Sequence, residues 1–312
     1  MKITIIGAEG KYNAEYFFIK AFKRLGYEVN FIDQYEGIRR KTLIRLLSTR
    51  LSIFRKFLNN IRINKIIRNM DLGNSDIILV FKGELLTESS LKILSDYNVY
   101  LFYPDTFRFG LILKDRLQYF NGVIVTTLHK IFYEKLGAKR VISIWWACDP
   151  EVHRKLNEEK IYDVSFVGTF YPNRWLTLSK VKRKPHVFGN FWYLKAGYHH
   201  PPVYGEDYIK IINQTKINLN IHHPSDLKAE APNMRVFEVA GSSGFILTER
   251  MSILRNIFKN IETYSDLDEL NEKIEYYVND DKVREEVGYS LRQQCIDKHT
   301  YIHRVERILK EI

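Results

Sequence analysis

Short apolar runs alternate with segments of helical period along most of the chain. Residues 2–6 form an apolar run closed by Gly7, and a helix-period segment over 13–25 follows, stopped by Gly26. Residues 28–32 give a second strand that ends at Asp33. Strands are expected again over 76–81, 99–103, 122–126 and 140–145, with helices over 85–95 and 129–136. Each run is short, apolar and unbroken, as strands buried on both faces of a parallel sheet are.

A second series begins near residue 161. It predicts strands over 163–167, 185–188 and 217–221 and helices over 173–181 and 205–215. A short polar helix start, a small-residue break and a buried strand occupy 233–249. Helices then close the chain over 252–258, 266–278, 282–299 and from 301 onward. Regular alternation of strand and helix in two series predicts two α/β domains with a cleft between them. The basic, proline-containing stretch 146–162 is the expected boundary.

Composition narrows the class. The 312 residues are 45% apolar and 27% charged, a globular composition with room for two domains. No apolar run approaches the length of a spanning helix. The N-terminal run is too short for a signal peptide and lacks a cleavage pattern. Cys148 and Cys295 suit neither a disulfide framework nor a metal motif, so a reduced, cytoplasmic protein is expected.

The net charge of +11 is uneven. Residues 39–68 hold ten Lys or Arg and no acid. Leu43, Leu47, Leu51, Phe54, Leu58 and Ile61 recur among them at spacings of three and four, the stripe of an amphipathic helix. Such a helix fits an anionic membrane surface, a nucleic acid or another anionic polymer, or a packed helix with a solvated basic face. The chain has no helix-turn-helix, zinc-finger or RNA-binding aromatic signature, which leaves nucleic acid without support.

Several strand ends carry candidate chemistry. Gly7-Ala8-Glu9-Gly10 is half of a dinucleotide fingerprint, and Glu9 would repel a pyrophosphate, so a dinucleotide cofactor is not expected. Glu9 either faces the cleft or caps the following helix. Asp105, in Tyr-Pro-Asp-Thr, is placed to act as a general base on a hydroxyl, or is simply a turn aspartate. The strand before Gly168 leads into a helix start, where backbone amides and the helix N-terminus favour a phosphate. Arg174 in that first turn opposes the helix dipole, so it serves an anion or a surface salt bridge. His199-His200 and His222-His223 lack the spacing and partners of a zinc centre; His222 fits better as a strand-end group near a phosphate. Asn233 and Arg235 sit at the next helix start, and Glu238 lies one turn deeper with Gly241 behind it. Arg235 suits phosphate oxygens, while Glu238 suits sugar or ribose hydroxyls.

These pieces together resemble the CgeB/YkvP-like glycosyltransferases, spore-protein relatives of the GT-B enzymes. Phe81-Lys82-Gly83, Tyr103-Pro-Asp105, Asp163 to Thr169 with Arg174, Tyr204 to Tyr208, Lys216 to Asn220, Asn233-x-Arg235-x-Phe-Glu238, Gly244 to Thr248, Glu262, Tyr264-Ser-Asp266 and His299-Thr-Tyr-x-x-Arg304 carry the resemblance. It spans residues 76–310 and is strongest after 160.

The resemblance implies an α/β, GT-B fold with two Rossmann-like domains facing across a cleft. Residues 1–155 would bind the acceptor and 156–300 the nucleotide-sugar, and helix 301–312 would cross back to the first domain. The activity implied is transfer of a sugar from a nucleotide-diphosphate sugar to a hydroxyl of a glycan, lipid-linked or protein acceptor. Gly168, Arg174, His222, Asn233, Arg235, Glu238 and Gly241 would bind the donor. Glu238, Asp105 and Glu9 would be the catalytic candidates. No metal or tightly bound cofactor is implied. The basic helix would hold the enzyme peripherally on the inner face of the membrane. The alternative is a noncatalytic protein of the same fold that binds an anionic polymer or membrane.

Overall fold

The expected strand–helix alternation is present, and its strands gather into two parallel sheets. The structure is a computed structural model that describes residues 1–35, 61, 64–67, 75–106, 114–192 and 199–312. The chain divides into two compact units, Met1–Ile144 with Val305–Ile312, and Trp145–Arg304.

In the first unit β1 (Lys2–Gly7) leads through α1 (Ala14–Arg24) to β2 (Glu28–Asp33). Then come β3 (Ile77–Phe81), α2 (Glu88–Leu94), β4 (Val99–Phe102), β5 (Gly122–Val125), α3 (Lys130–Lys135) and β6 (Val141–Ser143). The sheet order is β2-β1-β3-β4-β5-β6, with every pairing parallel. Every residue of β3, β4 and β5 is buried, as the unbroken apolar runs require. Asn13 starts α1 by accepting the Tyr16 N–H, and Gly26, at φ +83°, turns the chain after it. The amphipathic helix expected over 39–68 lies outside the described residues, apart from Ile61 and residues 64–67. Ile67 is buried in the core of this unit.

In the second unit β7 (Tyr162–Val167), α4 (Pro172–Leu178), β8 (His186–Phe188) and the two-residue β9 (His199–His200) run outward from the sheet centre. The chain returns through α5 (Gly205–Gln214) to β10 (Thr215–Asn220). A short α6 (Pro224–Lys228), α7 (Met234–Gly241), β11 (Ile246–Glu249), α8 (Leu254–Ile257) and β12 (Glu262–Tyr264) follow. Helices α9 (Leu267–Val278), α10 (Asp281–Lys298) and α11 (Tyr301–Glu311) end the chain. The order is β12-β11-β10-β7-β8-β9, again all parallel. β9, β12 and α6 were not expected from sequence: they span two, three and five residues, too few for a period to register.

Each order contains one reversal of direction, between β1 and β3 in the first unit and between β7 and β10 in the second. At such a switch point the crossovers leave on opposite faces, and a crevice opens outside the strands' carboxyl ends. Residues 7–10 and Lys82-Gly83 stand at the first crevice, and the Gly168 loop and His222 at the second.

Candidate donor-binding site

The second switch point brings together residues separated by more than sixty positions in the chain. The Gly168 N–H donates to the Phe188 carbonyl at 2.8 Å, and Trp192 Nε1 donates to the Gly168 carbonyl at 2.7 Å. A side chain on Gly168 would stand 3.0 Å from Arg235 Nη2 and 3.0 Å from Phe166 Cζ. The glycine therefore lets the arginine lie directly over the loop. Gly189 serves the same loop: a Cβ there would collide with the Gly168 carbonyl oxygen and stand 2.7 Å from its carbon. Gly189→Ala should destabilise the protein by about 3 kcal/mol or more, because backbone, not a flexible side chain, must move. Urea denaturation of this variant measures the effect.

Arg174 and Arg235 flank one aromatic ring. Their guanidinium carbons lie 5.4 Å and 5.9 Å from the Phe166 centroid. Arg174 is buried, and its Nε and Nη1 donate to the carbonyls of Ile221 and Thr169 at 3.1 Å and 2.8 Å. It ties the loop after β7 to the end of β10. Burial, and then the charge of Arg235, push its pKa down to about 9. Arg235 is half-buried and forms no hydrogen bond or ion pair among the described residues. Two guanidinium groups held this close repel, and an anion between them relieves the repulsion.

Arg235 stands in the first turn of α7. Its N-cap, Asn233, makes no side-chain capping bond. The Asn233 amide instead donates to Asn220 Oδ1 at 3.0 Å, and its own Oδ1 is buried without a partner. The first-turn N–H groups thus keep their positive potential, as anion-binding helix starts do. Ser165, Tyr208, Asn218, Asn220 and Arg235 line a narrow crevice there. A wider open pocket of about 570 Å³, lined by Glu249, Tyr264 and Asp266 among others, takes in none of the residues predicted for the site. The narrow crevice is the better candidate, because the switch point and the free cation coincide in it.

Glu238 follows Arg235 by three residues, on the same face of α7. It is 8% exposed. Burial pushes its carboxyl up to about 7, against the opposing effects of Arg235 and of Tyr208. The buried Tyr208 hydroxyl lies beside the carboxyl but forms no hydrogen bond of normal geometry. His153 Nε2 stands 3.9 Å from Glu238 Oε1. His153 was not singled out from sequence, and Tyr208 entered only as the end of the Tyr204–Tyr208 motif without a role, since no spacing links them to α7.

Two predicted donor ligands take supporting places. His222 is fully buried, with its backbone N–H on Glu249 Oε2 at 2.5 Å, its Nδ1 3.3 Å from the same oxygen and its Nε2 3.4 Å from Asn220 Nδ2. It braces the end of β10 from beneath. Gly241 closes the far end of α7 from Arg235, where a Cβ would stand 2.6 Å from Cys148 Cβ.

In the first unit Asp105 is half-buried and its carboxylate pairs with Lys82 Nζ at 2.8 Å. Lys82 and Gly83 both take left-handed backbone, at φ +59° and +63°. Glu9 is exposed; its backbone N–H donates to Asp33 Oδ1 at 3.3 Å. Asn13, not Glu9, caps α1, and Glu15 Oε1 accepts the Ala8 N–H at 2.9 Å. A carboxylate thus occupies the loop where a dinucleotide's phosphates would lie. Among the described residues no group of three or more His, Cys, Asp or Glu side chains is placed to hold a metal ion.

Two parallel-sheet units of this topology are the architecture of the GT-B fold. Residues 173–310 match the family model described as glycosyl transferase-like, a span that includes Arg174, His222, Asn233, Arg235, Glu238 and Gly241. No curated protein matches the chain. Among solved structures it is similar to phage T4 β-glucosyltransferase in complex with UDP-glucose, at 13% identity over 98% of this chain and 97% of that one, with a TM-score of 0.63. It is also similar to OtsA, at 10% identity over 99% and 98%, with a TM-score of 0.64. TarM of S. aureus aligns at 13% identity over 78% of this chain and 57% of its own, with a TM-score of 0.56. At these identities the likeness is one of fold.

Proposed function

We propose that this chain is a glycosyltransferase that moves a sugar from a nucleotide-diphosphate sugar to an acceptor hydroxyl. The observation that carries this reading is the crevice at the β7–β10 switch point, where an uncommitted Arg235 meets an open helix start, with the buried Glu238 one turn further along the same helix. The family match over residues 173–310 and the fold shared with a UDP-glucose-dependent enzyme support it. The narrower kinship with the CgeB/YkvP-like enzymes belongs to the same proposal.

Glycosyl transfer leaves a nucleoside diphosphate, and negative charge grows on it in the transition state. Arg235 and the α7 N–H groups meet that charge in an already organised site. Glu238, when ionised, accepts hydrogen bonds from donor hydroxyls. In this reading the first unit binds the acceptor. Asp105, presented beside Lys82 after β4, would take the proton from an acceptor hydroxyl in an inverting reaction. Glu9, exposed at the other edge of the same switch point, is the second candidate for that task. The basic run over 39–68 suits a lipid-linked or anionic acceptor and attachment to a membrane surface. Among the described residues no helix is long and apolar enough to cross a membrane.

A thermal-shift screen against uridine, guanosine, cytidine and thymidine diphosphate sugars tests the donor site. A matching donor at a hundred times its Kd adds about 2.7 kcal/mol of stability. Hydrolysis or transfer assays with the best ligand then test catalysis. If no donor shifts the melting point and no turnover occurs, the noncatalytic polymer- or membrane-binding reading takes its place.

A further inference from the structure

His153 lies in the stretch between β6 and β7 and is 2% exposed. The backbone N–H of Asp149 donates to its Nδ1 at 2.8 Å, and the backbone N–H of His153 donates to the Asp149 carbonyl at 2.7 Å. A ring nitrogen that accepts carries no hydrogen, so the neutral imidazole bears its proton on Nε2. That nitrogen faces Glu238 Oε1. The backbone around the pair is held from two sides. Gly241 lets α7 lie against the 148–153 segment, since a Cβ there would also stand 3.1 Å from His153 Cβ. Arg292 Nη1 donates to the carbonyls of both His153 and Gly241. The 3.9 Å separation exceeds a hydrogen bond, and contacts of this kind tighten when a ligand binds.

We propose that His153 is a positioning residue for Glu238: its Nε2–H engages Oε1 of the ionised carboxylate and turns the remaining lone pairs toward the hydroxyls of the donor. The functional half of this inference rests on the donor-site reading above. The other groups that act on the carboxyl are Arg235 on α7, Tyr208 on α5 and Tyr301 on α11. Burial pushes both tyrosines far up, so they stay neutral and do not compete for the proton in the physiological range.

Two substitutions separate positioning from packing. His153→Asn keeps an acceptor for the Asp149 N–H but cannot reach Glu238. His153→Gln carries its amide nitrogen out to the place of Nε2. The experiment measures UDP-glucose affinity by calorimetry, and urea stability from pH 5 to pH 9, in wild type and both variants. His153→Asn should weaken UDP-glucose by about tenfold, the worth of one hydrogen bond to a charged group. It should also extend the stability loss associated with Glu238 ionisation to higher pH, an extension absent when the same substitution is made in Glu238→Gln, because only an ionised Glu238 has lost a donor. His153→Gln should restore most of both effects. An unmoved stability profile in His153→Asn, or a Gln variant no better than Asn, overturns the inference. Failure of the donor reading looks different: wild type then binds no nucleotide-sugar, while the stability profiles still decide the His153–Glu238 contact.

Discussion

Replacing Arg235 with alanine should cost about a hundredfold in kcat/KM, the scale of losing one organised donor to a developing anion. Arg235 stands beside Gly168 at an open helix start and spends no hydrogen bond on the protein among the described residues. Its removal relieves the repulsion that adds to burial in depressing Arg174 but also takes away the charge that offsets the burial of Glu238, so the ligand-free variant should stay near wild-type stability. Arg235→Lys should recover only part of the affinity, because a point charge cannot match the guanidinium fork on a diphosphate. Arg174→Ala should behave oppositely. It loses the bonds to Thr169 and Ile221 and should unfold at lower urea. Calorimetry with UDP and with UDP-glucose, paired with urea curves, reads both quantities. Unchanged nucleotide affinity in Arg235→Ala would remove the arginine from the site.

Glu238→Gln should lower turnover by at least about tenfold, since a charged acceptor for donor hydroxyls becomes a neutral one. The same change should stabilise the ligand-free protein at alkaline pH, and the sign follows from the carboxyl's surroundings. Its pKa is about 7 in the folded protein against an ordinary 4.5. As pH rises from 4.5 the unfolded chain ionises first, so wild type loses stability until about pH 7 and then levels off. The loss is on the order of 3 kcal/mol, and glutamine abolishes it. The two proteins should therefore be alike near pH 4 and differ most above pH 7. Donor affinity in wild type should rise through the same interval, as the carboxylate forms. A stability difference independent of pH would show that burial does not raise the Glu238 carboxyl above its value in the unfolded chain. A gain in stability joined to a loss of activity is what a functional group held in an unfavourable place produces.

Much of this was legible in the sequence. The unbroken apolar runs of β3, β4 and β5 announced strands covered on both faces, and those strands are buried throughout. The carboxylate in an otherwise apolar helix marked Glu238, and it is buried in α7. Arg235 and Gly168 were read separately as phosphate groups from their local settings, and the arginine lies where a Cβ on the glycine would stand 3.0 Å from its Nη2. Residue types alone do not show where the chain also uses polar groups to brace itself. A buried histidine at a strand end looks the same in sequence whether it meets a ligand or, like His222, a neighbouring glutamate and asparagine. Arg174 looked misplaced beside a helix dipole, yet its guanidinium answers two backbone carbonyls that no local pattern reveals.

By itself, then, the sequence determined the kind of layer each segment enters. Periodicity, capping residues and glycine turns act over a few residues and are written in order along the chain. It also supplied the residue types that gather at the candidate donor site. Only the tertiary structure decided which loops share a crevice. The reversal of strand order between β7 and β10 depends on long-range pairing, and it sets the Gly168 loop against the start of α7. It also decided that His153 would face Glu238, eighty-five positions further along the chain. That contact exists because Gly241 lacks the one carbon that would push the segments apart.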